Sequence, residues 1–284
     1  MKIIDGKALA AELRSQLKEE IEKKGMEVGL AVVIVGDNPA SRIYVKNKIK
    51  ACGEVGIRSF SYELPADATQ NEVEELLDEL GKDEKVHGIL LQLPLPEGLD
   101  ARAALKRIPY EKDVDGFSAE NLGKLALGEK CTVACTPLGI MKILEKEGIS
   151  LSGKRAVVLG RSKTLGKPMA LLLLNADATV TVCHTKTVNT AEICRKADIL
   201  VSAAGVLNSL TKDYVRPGQV VIDVSINWDE NKPNARGGLG AIAGDAVYAE
   251  VEPIVEAITP VPGGVGSVTT SVLMKHVIEA AERV

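Results

Sequence analysis

Ser41, Tyr44 and Lys48 share one stretch of chain at i, i+3 and i+7, a spacing that gathers two hydroxyls and an amine able to handle protons. The stretch, PASRIYVKNKIKACGEV (39–55), reads as an amphipathic helix. Asn38 is its cap and Pro39 its first helical residue, where a missing N–H costs nothing. At about 100° per residue, Val45, Ile49, Cys52 and Val55 form an apolar stripe, and Ser41, Tyr44 and Lys48 fall inside it. Arg42, Lys46, Lys50 and Glu54 point the other way. An amine partly withdrawn from water can take up and release protons near neutrality. The competing reading makes Lys48 a lysine snorkelling from the stripe's edge and Tyr44 an ordinary core tyrosine.

Further polar groups stand where α/β sheets bind ligands. Gln92 interrupts GILLQLPLP at the C-terminal end of a strand, the edge at which open sheets hold ligands, although loop backbone could equally satisfy it. Asp113-Val114-Asp115-Gly116 lacks the remaining oxygen ligands and the Glu of a calcium loop. One carboxylate in so tight a loop suits hydrogen bonding to an amino-substituted heterocycle, and an Asx-type turn cap is the alternative. In VVLGRSKTLGKPMALLLL, Gly160 ends a buried strand and Gly166 admits close packing at a helix start, which aims free N–H groups at a phosphate. The run departs from GxGxxG, and an ordinary βα turn competes with that reading.

The next strand ends at Cys183-His184-Thr185-Lys186, without the acidic residue that binds an NAD ribose. A hydroxyl, a lysine and the nearby Arg161 favour a 2′-phosphate there, hence NADP. His184 reads as a histidine at the solvent edge of a strand end. Pro262-Gly263-Gly264-Val265-Gly266 removes side chains before a helix, so a ligand or neighbouring backbone can approach closely, and Pro260 and Pro262 stiffen the segment.

The elements that must position these residues alternate between β-rich and helical runs, the pattern of an α/β protein with parallel sheets. Strands are expected at 29–36, 57–64 and 86–93, with helices at 39–55 and 69–82 and a third beginning within 96–109. Residues 109–117 form a loop, 118–136 cross over without strong periodicity, and Thr136 caps a helix at 137–147. A second series follows, with strands at 153–160, 178–184, 197–205 and 218–226 and helices at 165–175 and 190–196. Residues 229–244 are turn-rich, a hairpin or surface loop, and a last helix covers 268–283. A chain of 284 residues suggests two domains.

Net charge is −4 and only 3% of residues are aromatic, so the basic stripe and the aromatic platforms of nucleic-acid binders are both missing and a small-molecule partner is expected. The five scattered cysteines, Cys52, Cys131, Cys135, Cys183 and Cys194, read as reduced thiols of a cytoplasmic protein, with no metal site. Residues 1–25 read as a charged helix capped by Asp5 and ended by Gly25, unlike a signal peptide, and no run approaches the roughly 18 apolar residues of a membrane span.

Taken in order, VGDNPASRIYVKNKIKACGEVGI (35–57), GILLQLPLP (88–96), KDVDGF (112–117), CTPLGIMKIL (135–144), GRSKTLGKP (160–168) and ITPVPGGVG (258–266) resemble the bifunctional methylenetetrahydrofolate dehydrogenase/methenyltetrahydrofolate cyclohydrolase family. The resemblance implies a folate-binding catalytic domain at 1–117, completed by the helix at 267–284, and a Rossmann-like NADP domain at 118–266, with a cleft between them. It implies that Lys48 is the cyclohydrolase lysine, with Tyr44 beside it, Gln92 supporting it and Asp115 holding the pterin ring. Ser41, Pro262, Gly263 and Gly264 would border the folate. Gly160, Arg161, Ser162, Thr185 and Ile226 would line the NADP site. The family is usually a homodimer. Three positions depart from its common pattern: Thr185 stands for Ser, Ser225 for Gly and Ser267 for Pro.

The implied reactions oxidise 5,10-methylenetetrahydrofolate and hydrolyse the methenyl product to 10-formyltetrahydrofolate. Oxidation needs mainly alignment of two ligands. Hydrolysis needs a proton carrier, the task that suits Lys48 hydrogen-bonded by Tyr44 and Gln92. Tyr44 and Lys48 also satisfy the Tyr-x-x-x-Lys of short-chain dehydrogenases, but those enzymes place the Gly-rich turn before that pair and here it follows. A monofunctional dehydrogenase of the same family and a non-catalytic nucleotide-binding sensor also compete with the bifunctional enzyme.

Overall fold

The computed structural model describes residues 2–234 and 238–283. In chain order the elements are β1 (Lys2–Ile3), α1 (Gly6–Lys24), β2 (Gly29–Val35), α2 (Pro39–Val55), β3 (Arg58–Leu64), α3 (Gln70–Lys82), β4 (Gly88–Leu91), α4 (Ala101–Leu105), α5 (Ala119–Ala126) and α6 (Cys135–Lys146). There follow β5 (Arg155–Leu159), α7 (Gly166–Asn175), β6 (Thr179–Cys183), α8 (Thr190–Arg195), β7 (Ile199–Ser202), β8 (Val220–Asp223), β9 (Asn227–Pro233), β10 (Leu239–Ala243), α9 (Tyr248–Val251), β11 (Ala257–Ile258) and α10 (Val265–Ala281).

The chain forms two compact units, one of residues 11–135 and 270–284, the other of residues 1–10 and 136–269. The division differs from the expected boundary at 117/118 in two respects. The first residues join the second series, because β1 pairs in parallel with β11. Residues 118–135 stay with the first series, because Ser118 and Asn121 donate to the Asp113 carboxylate and Asn121 also to the Tyr110 carbonyl.

In the first unit a parallel three-stranded sheet runs β3-β2-β4. The central strand β2, GLAVVIV, is buried along its whole length, as a strand covered on both faces must be. Helix α2 begins where Asn38 accepts from the Ser41 amide at 3.0 Å and ends at Gly56 in the left-handed region. A full capping box between Thr69 and Glu72 starts α3, whose Val73, Leu77 and Leu80 are buried against the sheet. Each contributes about 1.5–3 kcal/mol of hydrophobic stabilisation. Helix α5, capped by Ser118, lies in the crossover segment, where the sequence shows no strong periodicity.

The second unit holds a six-stranded, wholly parallel sheet in the order β1-β11-β8-β7-β5-β6. From β5 the chain passes outward to β6 and then crosses to β7 on the other side, so the strand order reverses beside β5. Ligands of open α/β sheets bind at such a reversal, outside the carboxyl ends of the strands. The turn-rich segment is an antiparallel hairpin of β9 and β10, and the part at 235–237 lies outside the described residues. Helix α10 starts at Val265, a turn before the expected 268. Among the described residues no helix is long and apolar enough to cross a membrane.

Candidate active site

Lys48 is half-buried on α2, and its Nζ donates to Oε1 of Gln92 at 3.3 Å. Gln92 follows β4 directly, and its Nε2 donates to the Leu93 carbonyl at 2.6 Å, which turns the amide oxygen towards the lysine. The expected pairing of helix face and strand end is therefore present. Ser41 is buried near the start of the same helix. Tyr44 departs from expectation: it is 45% exposed, and among the described residues its hydroxyl makes no hydrogen bond to Lys48. It stands at the rim of the stripe, next to exposed Ile43, and not within the core.

The two aspartates of KDVDGF divide the two readings between them. Asp113 is buried and accepts from Gly116 N at 3.0 Å, Phe117 N at 3.2 Å, Ser118 N at 2.7 Å and Asn121 Nδ2 at 3.1 Å, so it is the turn cap. Asp115 takes no part in that cap. Its carboxyl is withdrawn into protein, and the loss of water pushes it up to about 6, while the positive charge of Lys48 pulls the other way. Lys48, Gln92 and Asp115 thus form one constellation in the first unit: a cation, an amide oxygen and an acid poised near neutrality. Burial pushes the thiol of Cys52, one turn along α2, up to about 12 and keeps it out of the chemistry.

In the second unit the residues expected at a nucleotide lie at the carboxyl edge of the sheet. Gly160 has φ 132°, and a side chain there would overlap the Ala203 carbonyl. A Cβ on Gly166 would overlap the Gly160 carbonyl, so the two glycines leave a bare backbone cradle at the start of α7. Ser162 Oγ accepts from the amides of Leu165 and Gly166, both at 3.2 Å, which shapes the cradle's loop. Arg161 is exposed beside it. Strand β6 pairs with β5 through Leu159 and Cys183, so the turn carrying exposed Thr185 and Lys186 lies alongside. His184 stitches that turn: its amide donates to Thr187 Oγ1 at 2.9 Å and its Nδ1 accepts from Lys186 N at 3.2 Å. Ile226, 58% exposed, follows β8. A backbone cradle flanked by Arg161 and Lys186, with no acid at the ribose position, fits a nucleotide carrying an extra phosphate.

Below this edge lies a polar knot that the sequence did not reveal. Asp245 is fully buried and accepts from Ser202 Oγ at 2.9 Å, Ala204 N at 2.9 Å, Val206 N at 2.9 Å, Ser225 Oγ at 2.7 Å and Asn227 Nδ2 at 3.2 Å. Asp223 accepts from the amides of Ser225, Asp245 and Ala246, and burial pushes it up to about 6 against those bonds. A larger residue at Gly244 would strike the Asp223 carboxylate, and Ser225, which departs from the family pattern, belongs to the same knot. Pro262 follows a cis peptide, and Lys232 Nζ donates to Val261 O at 3.0 Å, tying the hairpin to the Pro262-Gly263-Gly264 loop.

Known proteins resemble this chain over nearly its whole length. The family model for the tetrahydrofolate dehydrogenase/cyclohydrolase catalytic domain matches residues 4–115, and that for the NAD(P)-binding domain matches residues 134–284. The bifunctional protein FolD of Moorella thermoacetica is 49% identical over 284 residues, covering 99% of both chains. That of Methanospirillum hungatei is 50% identical, covering 98% of this chain and 97% of its own. Among solved structures, the bifunctional FolD enzyme of Campylobacter jejuni superposes with a TM-score of 0.93 at 46% identity, covering 100% of this chain and 99% of that one. The FolD of Trypanosoma brucei, solved with NADP cofactor and an inhibitor, gives a TM-score of 0.93 at 39% identity, covering 99% and 97%.

Proposed function

Because this chain belongs to the tetrahydrofolate dehydrogenase/cyclohydrolase family, we propose that it oxidises 5,10-methylenetetrahydrofolate with NADP and hydrolyses the methenyl product to 10-formyltetrahydrofolate. The observation that carries the hydrolytic half is the bond from Lys48 to Gln92 with Asp115 alongside. NADP, when bound, supplies the hydride acceptor. Gly160, Arg161, Ser162, Thr185 and Ile226 hold it at the carboxyl edge of the six-stranded sheet.

Oxidation leaves a cation stabilised by the two nitrogens that flank the one-carbon bridge, and no substrate proton has to move. This chain contributes to that step by orientation: Asp115 accepts hydrogen bonds from the amino-substituted pterin, while Ser41 and Tyr44 border the folate. In hydrolysis, water adds to the methenyl carbon and releases one proton; the bond from that carbon to the ring nitrogen then breaks as the remaining hydroxyl proton is moved to the nitrogen, leaving the formyl group on the other nitrogen. Lys48 Nζ carries that proton. Gln92 Oε1 fixes where Nζ sits, and Gln92 is itself fixed by the Leu93 carbonyl. The exposed Tyr44 closes over the reacting carbon from the solvent side and takes no part in holding the lysine.

The protein acts as a homodimer in the cytoplasm, on small folates and neither on nucleic acid nor at a membrane. Its cysteines are free thiols, as a reducing compartment requires. Strand β3 is the outer strand of its sheet and half exposed, a template for pairing with a second copy. One assay tests the function: formation of NADPH from methylenetetrahydrofolate, coupled to decay of the methenyl absorbance, run in parallel with NAD. Both signals are expected. NADPH formation without methenyl decay would leave a monofunctional dehydrogenase, and neither signal would leave a nucleotide sensor. A monomeric mass in light scattering would exclude the dimer.

A further inference from the structure

Helix α10 is apolar along most of its length, and His276 sits in it almost wholly buried. Burying an imidazole is costly unless its polar atoms are bonded. Its Nδ1 lies 2.9 Å from the carbonyl oxygen of Val114. A carbonyl only accepts, so Nδ1 carries the proton and donates it. A second buried donor reaches the same oxygen, since the Cys135 thiol donates to it at 3.3 Å. The sulfur is 3.6 Å from Nδ1. With Nδ1 committed to the carbonyl, the pair cannot work as thiol and base. Burial and the neighbouring Asp115 carboxylate hold the Cys135 thiol well above its ordinary range, which removes the thiolate such a dyad would need.

Two unlike donors therefore converge on a single backbone oxygen. That oxygen belongs to the residue before Asp115. The same residue is also held through its side chain, which packs on Gly88 close to Val277, the neighbour of His276. On its other side, the Asp113 carboxylate gathers the amides of residues 116–118. The Asp115 carboxyl is thus presented between a clamped carbonyl and a capped turn.

We propose that His276 is a positioning residue for folate binding: through its hydrogen bond to Val114 O, with Cys135 as second donor, it fixes the peptide that aims Asp115 at the pterin ring. The inference rests on the function proposed above. It explains why a polar ring occupies an apolar helix, and it locates specificity for the folate in a residue that never touches it.

The test compares His276→Leu, which keeps bulk and removes the donor, with His276→Asn, which keeps a donor amide. Calorimetric titration with tetrahydrofolate is expected to show affinity weakened about tenfold in His276→Leu and largely restored in His276→Asn, the effect of one hydrogen bond to a buried carbonyl. The KM for methylenetetrahydrofolate should rise in step, while kcat at saturation and the KM for NADP stay within about twofold. Unchanged tetrahydrofolate affinity in folded His276→Leu overturns the inference, and so does equal impairment in both variants, which would make the role one of packing. A wild-type protein that neither binds tetrahydrofolate nor reduces NADP would defeat the functional assignment and this inference with it. Normal wild-type activity beside an unaffected leucine variant defeats this inference alone.

Discussion

Ser225 and Asp245 are joined by a 2.7 Å hydrogen bond from hydroxyl to carboxylate, and the same hydroxyl oxygen accepts from the Gly205 amide at 3.1 Å. The serine bridges the loops that follow β7 and β8, next to Ile226, at a position where the family commonly has glycine. Ser225→Gly leaves the Gly205 amide without that partner and adds backbone freedom to the unfolded chain. It should cost about 1–3 kcal/mol in urea denaturation. Ser225→Ala separates the two contributions, and a stability unchanged in both would show the bridge to be worthless.

Lys48→Met should slow hydrolysis of the methenyl compound by about 10²–10⁴, the usual scale for removing a positioned proton carrier. Oxidation should persist within about tenfold, since it demands alignment more than proton transfer. Undiminished hydrolysis would remove Lys48 from its role.

Folate affinity should depend on pH through Asp115, whose folded carboxyl sits at about 6. Only the ionised form accepts two hydrogen bonds well, so the KM for methylenetetrahydrofolate should rise as pH falls below about 6, with the KM for NADP flat. Stability runs the opposite way. The folded state keeps this proton to higher pH than the unfolded chain, so the contribution to stability is full below the unfolded value near 3.8 and is lost as pH rises through about 6. Asp115→Asn should therefore raise Tm at pH 8, where it stabilises by about 1–3 kcal/mol, and change it little at pH 4. A larger gain at pH 4 than at pH 8 would reverse the sign.

Gly160→Ala places a methyl group on the Ala203 carbonyl at a backbone angle that only glycine adopts freely. The cradle must open, and the KM for NADP should rise about tenfold or more, while hydrolysis of methenyltetrahydrofolate supplied directly continues. Equal loss of both activities would point to general unfolding.

Much of the site was legible because it follows local periodicity. Lys48 shows itself by its angle on α2, Gln92 by interrupting an apolar strand, and Gly160 by ending one. Tyr44 was misplaced because a helical stripe is broad and a residue at its margin can turn either way. Helix α5 was hidden because Asn121, one of its buried residues, is polar, which broke the apolar repeat. The signal that could have found it was Ser118, a cap just before Ala119 and Glu120. Strands β1 and β11 have two residues each, too few for any alternation to register. The two aspartates of KDVDGF are interchangeable in sequence, and only the amides around Asp113 tell cap from ligand group. His276 acquires meaning from an oxygen at residue 114, a relation no sequence window contains.

The pairing of β1 with β11 has a consequence for biosynthesis. Lys2 and Ile3 leave the ribosome long before Ala257 and Ile258 and cannot add to the sheet until those follow, and Val114 waits for residue 276 before its carbonyl is clamped. Neither unit can finish folding while the chain is being made. Through most of translation the nascent polypeptide therefore carries β1 without its partner strand and, once Val114 is made, a site loop whose carbonyl is not yet clamped.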